Sequence, residues 1–252
     1  MENEIFIVGI GPGDIGFMSE NALEAIKKSD VVVGYSVYVE LVKKYFPQKE
    51  FILSGMRHEI ERCTLCFELA LQGKNIALVC SGDAGVYGMA SPMFFLKKEN
   101  EKYSKIKLTV VPGISACLSG SAVLGAPLGN DFCVISLSDL MIPYQLIEKR
   151  LKAAVSGDFS ICIYNPSSHK RKDYLKKACR ILLDCGVEKE RACAWVKNIG
   201  REGEISEACT LDKLIDFEAD MFTTVFIGNS QSEIFTDLSG KSFLITKRGY
   251  KI

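Results

Sequence analysis

The sequence predicts an α/β fold of two α/β domains, the first with a mostly parallel sheet and the second with a mixed sheet. Short apolar runs alternate with helix-like segments through the first half of the chain, a pattern typical of parallel strands covered on both faces. The pattern pauses in a small-residue stretch at 114–131 and then restarts, and strand-like runs dominate the end of the chain. We therefore expect domains at residues 1–129 and 130–252, with a ligand cleft between them.

The strands of the first domain are predicted from apolar runs and its helices from apolar residues at helical spacing. The predicted strands cover residues 5–10, 31–33, 75–80 and 107–111. One helix is predicted to begin at Ser19, and the others cover residues 37–46, 57–72 and 87–98. Glycine-rich turns follow three of these strands, at 11–14, 81–85 and 112–113, and so lie at the edge where open α/β sheets bind ligands.

The second domain is predicted by the same signals, with longer stretches of strand towards its end. Its predicted strands cover residues 132–137, 159–164, 192–197, 204–210, 223–227 and 242–246, and its predicted helices cover residues 143–154 and 172–183. Because only short helical pieces separate the last strands, we expect antiparallel members in this sheet.

Composition and charge exclude several classes of protein. Apolar residues make up 48% of the chain and charged residues 25%, as in ordinary globular proteins. The 31 basic residues balance 31 acidic ones, which argues against a nucleic-acid binder. No apolar run is long enough to cross a bilayer, and the amino terminus has no cleavage-site pattern, so we expect a cytoplasmic protein without membrane contact.

Most of the ten cysteines are expected to be small buried apolar side chains in a reducing compartment. Most of them lie inside apolar strand or helix patterns. Cys63 and Cys66 form a lone C-x-x-C motif, and a structural metal site would need a second ligand pair at a suitable spacing, which is missing. We predict that both cysteines pack along a helix and that the protein binds no metal.

The first glycine loop resembles a dinucleotide fingerprint, with Gly11, Gly13 and Gly16 at the required spacing. However, no acid stands at the end of the second strand to hold a ribose, and Asp14 would repel a pyrophosphate. The loop at 81–85 also carries an acid and no lysine. Taken singly, each loop is explained by a tight turn between strand and helix, but together they favour a neutral or cationic adenosine ligand over NAD or FAD.

Three segments in order carry a specific resemblance: VGIGPGD at 8–14, SGDAGVYG at 81–88 and VPGISA at 111–116. They resemble the signature segments of the tetrapyrrole methylases, S-adenosylmethionine-dependent enzymes of two α/β domains. Later segments resemble the branch that methylates C17 of precorrin-3B or cobalt-factor III, and they are LGAPL (124–128), VISLSDL (134–140), YNP (164–166), NIGREGE (198–204), MFTTV (221–225) and TKRGY (246–250). The resemblance covers essentially the whole chain.

This resemblance implies methyl transfer from S-adenosylmethionine to C17 of a corrinoid precursor, with contraction of the macrocycle, in cobalamin biosynthesis. It implies that cofactor contacts come from both domains, at Gly82, Asp83, Val86, Tyr87, Ser115, Ala116, Leu137, Asn165, Thr223 and Thr224. Such a reaction needs positioning and exclusion of water and no protein nucleophile. The two histidines, His58 and His169, belong to no evident hydrolase constellation, which agrees with this.

The residues expected on the tetrapyrrole side are Asp14, Asp139 and Arg201, which we take as candidates for catalysis. For Asp14 the alternative is a cap of the following helix. Because the substrate carries several carboxylates, Arg57 and Arg201 could anchor it through bidentate hydrogen bonds. The basic run at 170–172 is more typical of a solvated loop.

One position departs from the family pattern, and several alternatives stay open. The family commonly has a histidine before the Asp-Phe pair that opens the second domain, where this chain has Asn130. If that histidine moves a proton during ring contraction, Asn130 cannot replace it. The aerobic and the cobalt-bearing substrate are not distinguished by the sequence.

Two alternative functions remain open. One is a methylase that acts at another macrocycle position, on a protein or on RNA, and the other is a sensor that binds S-adenosylmethionine without turnover. From the family, and from apolar residues such as Phe94, Phe95 and Leu96, we also expect a homodimer.

Overall fold

The computed structural model describes residues 3–168 and 171–250, so His169 and Lys170 lie outside the described residues. The chain divides into two compact units, the first ending at Ala116 and the second beginning at Cys117. This division falls at the start of a helix, Ala116–Leu124, whereas the boundary predicted between residues 129 and 130 follows that helix. Within the described residues, no helix has both the length and the apolar character needed to cross a membrane.

The first unit alternates strands and helices as the sequence predicts. Its strands are β1 (Glu4–Gly9), β2 (Val31–Tyr35), β3 (Glu50–Ser54), β4 (Ile76–Cys80) and β5 (Lys107–Val111). Its helices are α1 (Glu20–Lys28), α2 (Ser36–Lys43), α3 (Glu59–Leu71) and α4 (Ala90–Glu99). Single 3₁₀ turns occupy Ile15–Phe17 and Glu101–Tyr103.

The strands of the first unit form one parallel sheet in the order β3-β2-β4-β1-β5. Every residue of β4 is buried, since it lies between β2 and β1 with helices on both faces. Separate apolar cores cover the two faces of the sheet, one around Phe67 and the other around Ile26. The predicted parallel sheet is confirmed. β3 is missing from the prediction, because it is an edge strand whose apolar residues are only partly buried.

The second unit combines a mixed sheet with a small separate sheet. Its helices are α5 (Ala116–Leu124), α6 (Tyr144–Ser156), α7 (Tyr174–Asp184) and α8 (Leu211–Leu214). Its strands are β6 (Gly125–Ala126), β7 (Phe132–Ser136), β8 (Ser160–Tyr164), β9 (Ala192–Lys197), β10 (Ile205–Thr210), β11 (Thr223–Ile227), β12 (Ser232–Thr236) and β13 (Ser242–Thr246).

The main sheet of this unit has the order β10-β9-β11-β8-β7, in which only β7 and β8 run parallel to each other. The predicted mixed sheet is therefore confirmed. A second sheet has the order β12-β13-β6. The sequence did not predict β6 or β12, since β6 has two residues and β12 is a partly exposed strand with polar residues at both ends.

Eight of the ten cysteines are buried, while Cys133 is partly buried and Cys185 is exposed. Cys63 and Cys66 are fully buried on α3, and burial raises the pKa of Cys63 to about 12 and that of Cys66 still further. Thiols with such pKa values stay protonated and inert at neutral pH. The prediction that both pack along a helix is confirmed, and within the described residues no group of three or more His, Cys, Asp or Glu could hold a metal ion.

Candidate active site

Three glycines meet where β1, β4 and β5 end. A Cβ atom added to Gly113 would lie 2.2 Å from the carbonyl oxygen of Gly82, and one added to Gly9 would lie 2.7 Å from the amide nitrogen of Gly113. Real Cβ atoms are never found that close to backbone atoms. Side chains are therefore excluded at Gly9 and Gly113, and the three chain segments pack backbone against backbone at this edge of the sheet.

Two of the glycine loops are also hydrogen bonded to each other. The amide of Gly11 donates to the carbonyl of Gly82 over 3.1 Å, and the amide of Gly82 donates to the carbonyl of Gly11 over 2.8 Å. Both residues have positive φ, +70° and +68°, which L side chains rarely adopt. The reciprocal pair fixes the loop after β4 against the loop after β1.

Asp83 completes the arrangement with its side chain. Its Oδ1 accepts a hydrogen bond from the amide of Gly85 over 2.7 Å, and its Oδ2 accepts one from the amide of Gly113 over 2.9 Å. One carboxylate thus holds its own loop and ties it to the loop after β5. The acid that distinguishes this loop from a phosphate-binding loop satisfies backbone amides.

The three segments that form the exposed side of this edge offer apolar and backbone groups and contribute no cation of their own. Tyr87 is 58% exposed and has a φ of +53°, and Val86 beside it is also exposed. Gly82 lies next to Ser115 and Ala116, whose backbone atoms would be 3.5–3.6 Å from an added Cβ. The segments 9–14, 81–90 and 112–116 contain no lysine or arginine. This set of groups fits a neutral or cationic ligand and gives a pyrophosphate no counter-charge.

Asp14 caps the 3₁₀ turn that follows β1, which was the alternative interpretation of this residue. Its Oδ1 accepts from the amide of Gly16 over 3.0 Å, and its Oδ2 accepts from the Tyr45 hydroxyl over 3.0 Å, with the Lys44 ammonium 4.0 Å away. The Gly16 amide first, then the Tyr45 hydroxyl and Lys44, hold the pKa of Asp14 below its ordinary value. The carboxylate is exposed and ionised at neutral pH.

In the second unit, several predicted cofactor residues lie at one end of the main sheet. The amide of Leu137 donates to the Tyr164 carbonyl over 2.9 Å, so the parallel strands β7 and β8 stay paired to their ends. Asn165 follows β8 with a φ of +52°, and its side chain donates to the Ser136 hydroxyl over 2.9 Å. A positive φ is uncommon for residues other than glycine, and asparagine is enriched among the exceptions.

Thr223 and Thr224 begin β11, which pairs antiparallel to β8, so they lie at the same end of the sheet as Asn165. Both threonines are buried. The Thr223 hydroxyl donates to Asp220 over 2.9 Å, and the Lys197 ammonium lies 2.7 Å from the same carboxylate. The structure therefore brings Leu137, Asn165 and the two threonines together.

Asp139 and Arg201 each have their own partners. The Asp139 carboxylate accepts from the Tyr174 hydroxyl over 2.7 Å and from the Arg171 guanidinium over 2.9 Å. These two hydrogen bonds, that of Tyr174 being the larger cause, hold its pKa below the ordinary value. Arg201 lies in the turn after β9, with its guanidinium 5.9 Å from the centre of the Phe222 ring.

Comparison with known proteins decides the family. The family model of the tetrapyrrole (corrin/porphyrin) methylases matches residues 4–215. The chain belongs to the tetrapyrrole methylase family. The prediction of this family is confirmed.

Two curated relatives of this methylase match it over nearly their whole length. A protein of Salmonella typhimurium named probable cobalt-factor III C(17)-methyltransferase is 41% identical, over 98% of this chain and 99% of its own. A precorrin-3B C(17)-methyltransferase of Sinorhizobium sp is 30% identical, over 99% of this chain and 98% of its own. Both names belong to the branch that the signature segments indicate.

Solved structures confirm the predicted fold class. The crystal structure of the methyltransferase CobJ has a TM-score of 0.89 and 29% identity, and it covers 98% of this chain and 100% of its own. A uroporphyrin-III C-methyl transferase from Thermus thermophilus, solved with S-adenyl homocysteine, has a TM-score of 0.69 and 17% identity over 90% of this chain and 92% of its own. The second likeness shows the fold alone.

The sequence did not predict the side chains that hydrogen bond to Asp139 and Thr223, two of the predicted site residues of this methylase. Arg171 belongs to the run at 170–172 that we interpreted as a solvated loop, yet its side chain is largely buried against Asp139. Asp220 and Lys197 are missing from the predicted site residues. A signal for Asp220 was available, since an acid three residues before the start of a buried strand is typical of a local side-chain turn.

Proposed function

We propose that this chain transfers the methyl group of S-adenosylmethionine to C17 of a corrinoid precursor and contracts the macrocycle, in cobalamin biosynthesis. The observation that carries the proposal is the end-to-end similarity, at 41% identity, to a relative named for that reaction. The glycine-lined edge of the first unit supports it, because its groups suit an uncharged or cationic ligand.

The residues proposed to hold the cofactor are those that the family resemblance implies. They are Gly82, Asp83, Val86, Tyr87, Ser115, Ala116, Leu137, Asn165, Thr223 and Thr224. Bound S-adenosylmethionine would supply an activated methyl group, and S-adenosylhomocysteine would remain after the transfer. Asp83 acts by keeping the loop amides in place, and Gly82 acts by leaving the ligand side of its loop free of a side chain.

The groups proposed to act on the macrocycle are Asp14, Asp139 and Arg201. Because the pKa of Asp14 is lowered, this residue carries no proton at neutral pH and enters the reaction as a proton acceptor or as a fixed negative charge. A carboxylate beside the sulfonium would stabilise the ground state and slow the transfer, so we place Asp14 on the macrocycle side. Arg201, with its charge in a polar turn, serves to bind substrate carboxylates.

We propose the cobalt-bearing cobalt-factor III as the substrate. Identity is 41% to the relative named for cobalt-factor III and 30% to the one named for precorrin-3B. The cobalt then belongs to the substrate, and the protein itself needs no metal. A cytoplasmic location follows from a substrate that is made and used by biosynthetic enzymes.

Incubation of the purified protein with methyl-labelled S-adenosylmethionine tests the activity. Cobalt-factor III and precorrin-3B are offered in parallel under anaerobic conditions, and the masses of the products are measured by mass spectrometry. We expect label in the macrocycle, a gain of one methyl group, and faster turnover of cobalt-factor III. Binding of the cofactor without any transfer would identify a sensor, and a new methyl group at a carbon other than C17, located by NMR, would place the reaction elsewhere on the ring.

We also propose a homodimer. Phe94 and Phe95 on α4 are 50% and 63% exposed, and neighbouring aromatic side chains of this size are commonly buried in interfaces. Leu96, which we grouped with them, instead packs against the core of its own unit. Sedimentation equilibrium at micromolar concentration should give about twice the 27.9 kDa chain mass, and Phe95→Glu should give the monomer. A monomeric parent protein would contradict this.

A further inference from the structure

Arg62 is a buried cation with neutral partners. It lies on α3 and is 5% exposed. Its Nε donates to the Ser54 hydroxyl over 2.5 Å, one terminal nitrogen donates to the Gly55 carbonyl over 2.8 Å, and the other lies 3.6 Å from the Met89 sulfur. Within the described residues it forms no ion pair. A buried charge without a counter-charge is costly, which indicates that its role is not the stability of the fold alone.

The partners of Arg62 place it at the same edge of the parallel sheet as the glycines, beside other strands. Ser54 ends β3 and its hydroxyl donates to the carbonyl of Gly34 in β2, while Met89 precedes α4. The edge thus has two halves. The ends of β4, β1 and β5 form a glycine half, whose loops contain no lysine or arginine, and the ends of β3 and β2 form an arginine half.

Arg57 belongs to the arginine half and is exposed. Its φ of +69° is unusual for a residue other than glycine, and backbone strain of this kind is concentrated at functional sites. Its side chain makes no hydrogen bond or ion pair with any residue that the structure describes. Gly55, whose carbonyl Arg62 holds, stands two residues before it. Arg57 and Arg62 are the only arginines among the first 116 residues of the sequence.

We propose that Arg57 and Arg62 form an anion subsite on the arginine half of this edge, which binds a carboxylate side chain of the tetrapyrrole. Arg57 is the contact residue, because it is exposed and its guanidinium is uncommitted. Arg62 is a positioning residue, which fixes the turn that carries Arg57 and adds positive potential from a site screened little by salt. The nearby acids Glu59 and Glu61 lie in the first turn of α3, and Glu61 contacts His58.

The identity of the ligand of this subsite rests on the proposed function. The positive charge of the subsite is consistent with the division of the edge into a glycine half and an arginine half. A guanidinium matches the planar carboxylate in a bidentate geometry. The positive charge of the guanidinium groups repels a sulfonium cation, so we do not expect the cofactor to bind in the arginine half. Arginine rather than lysine at both positions suits a directional contact.

The test measures binding without turnover, with uroporphyrin, a porphyrin with eight carboxylates, as the probe. Kd for uroporphyrin is measured by fluorescence quenching, and Kd for S-adenosylhomocysteine by calorimetry, in wild type, Arg57→Gln, Arg62→Met and Arg62→Lys. Arg150→Gln, an exposed arginine of α6, is the matched control. We expect the uroporphyrin Kd to rise about tenfold in Arg57→Gln and Arg62→Met, less in Arg62→Lys, and not in the control, with S-adenosylhomocysteine affinity within about threefold.

Unchanged uroporphyrin binding in Arg57→Gln would overturn the proposal, and this exposed variant decides the matter even if Arg62→Met does not fold. An equal loss of S-adenosylhomocysteine binding in Arg62→Met would also overturn it, because Arg62 would then act on the cofactor loop through Met89. Methyl transfer to cobalt-factor III is measured separately from uroporphyrin binding. If wild type fails to methylate cobalt-factor III but Arg57→Gln binds uroporphyrin more weakly than wild type does, the proposed reaction is refuted and the subsite is still supported.

Discussion

The glycine edge of the first unit and the strand ends of the second unit are built in opposite ways. In the first unit, Gly9, Gly82 and Gly113 bring three loops together through backbone contacts, and one carboxylate, Asp83, holds them. In the second unit, side-chain pairs do the same work, such as Asp139 with Arg171 and Tyr174. The first arrangement tolerates no side chain at its centre, whereas the second depends on specific ones.

This difference explains why one region is recognised in the sequence and the other is not. A backbone contact requires glycine at fixed positions within a few residues of a strand end, so it leaves a short local motif. The partners of Asp139 are 32 and 35 residues away along the chain. A pair so distant leaves no local pattern, and only the fold brings its members together. The two regions should therefore respond differently to mutation.

The largest effect is expected at the centre of the glycine edge, in Gly113→Ala. The added Cβ would lie 2.2 Å from the Gly82 carbonyl oxygen and 2.6 Å from the Gly9 carbonyl carbon, and neither backbone can move without disturbing a strand. We expect the free energy of unfolding to fall by about 3 kcal/mol or more. Urea unfolding measures it. Gly16→Ala is the control, since its nearest neighbour would be 3.6 Å away. Equal stability of the two variants would contradict the backbone packing.

The next effect is expected in Gly82→Val, where stability and ligand binding can be separated. The residue has a φ of +68°, so any side chain is strained, but an added Cβ would have no neighbour closer than the Cα of Ser115 at 3.5 Å, beside two residues proposed to hold the cofactor. We expect S-adenosylmethionine affinity to fall about 100-fold or more in calorimetry, because the side chain occupies the ligand side of the loop.

Gly73→Val is the matched control for that strain. Gly73 has a φ of +95° and has no atom within 4 Å of an added Cβ. It follows α3 and precedes β4, so it lies away from the strand ends that form the glycine edge. It should lose comparable stability and keep its cofactor affinity. Wild-type affinity in Gly82→Val would remove the loop at 81–88 from the cofactor site.

Much of the fold was predictable, and the exceptions have physical causes. The predicted bounds of β5, β9, β11 and β13 match the structure, because each is an apolar run bounded by polar or turn residues. β3 was missed because an edge strand buries fewer side chains and so has a weak apolar signal. The roles of the site residues are not given by pattern alone. Asp14 illustrates this, since its carboxylate serves as a cap and is held by Tyr45, which lies 31 residues along the chain.

Asp14→Asn tests whether the cap also has a chemical role. The substitution keeps the shape and one acceptor oxygen, so Gly16 can still be capped. We expect cofactor affinity within about threefold and a kcat/KM lower by about 100-fold. Tyr45→Phe, which removes one hydrogen bond to Asp14, should have a smaller effect. Lost cofactor binding with normal turnover at saturating cofactor would assign Asp14 to the cofactor site instead.

The smallest effect is expected at Asp139, whose charge Arg171 already balances. Asp139→Asn should lower kcat/KM by only a few fold, and its main consequence should be a pH-dependent change in Tm. The folded-state pKa of Asp139 is lowered, so its contribution to stability is present above the unfolded value near pH 4 and is lost as the pH falls through the folded value.

Wild type should therefore melt about 2 °C above Asp139→Asn at pH 7, a contribution of under about 1 kcal/mol from a carboxylate that is still partly screened by solvent, and this difference should shrink as the pH is lowered below about 4. Between pH 6 and pH 8 it should stay constant. Asp184→Asn, at the end of α7, is the control and should not lower Tm at any pH. A difference between wild type and Asp139→Asn that grows on acidification would mean that the carboxyl is protonated in the folded state, and the proposed pairing with Arg171 would be wrong.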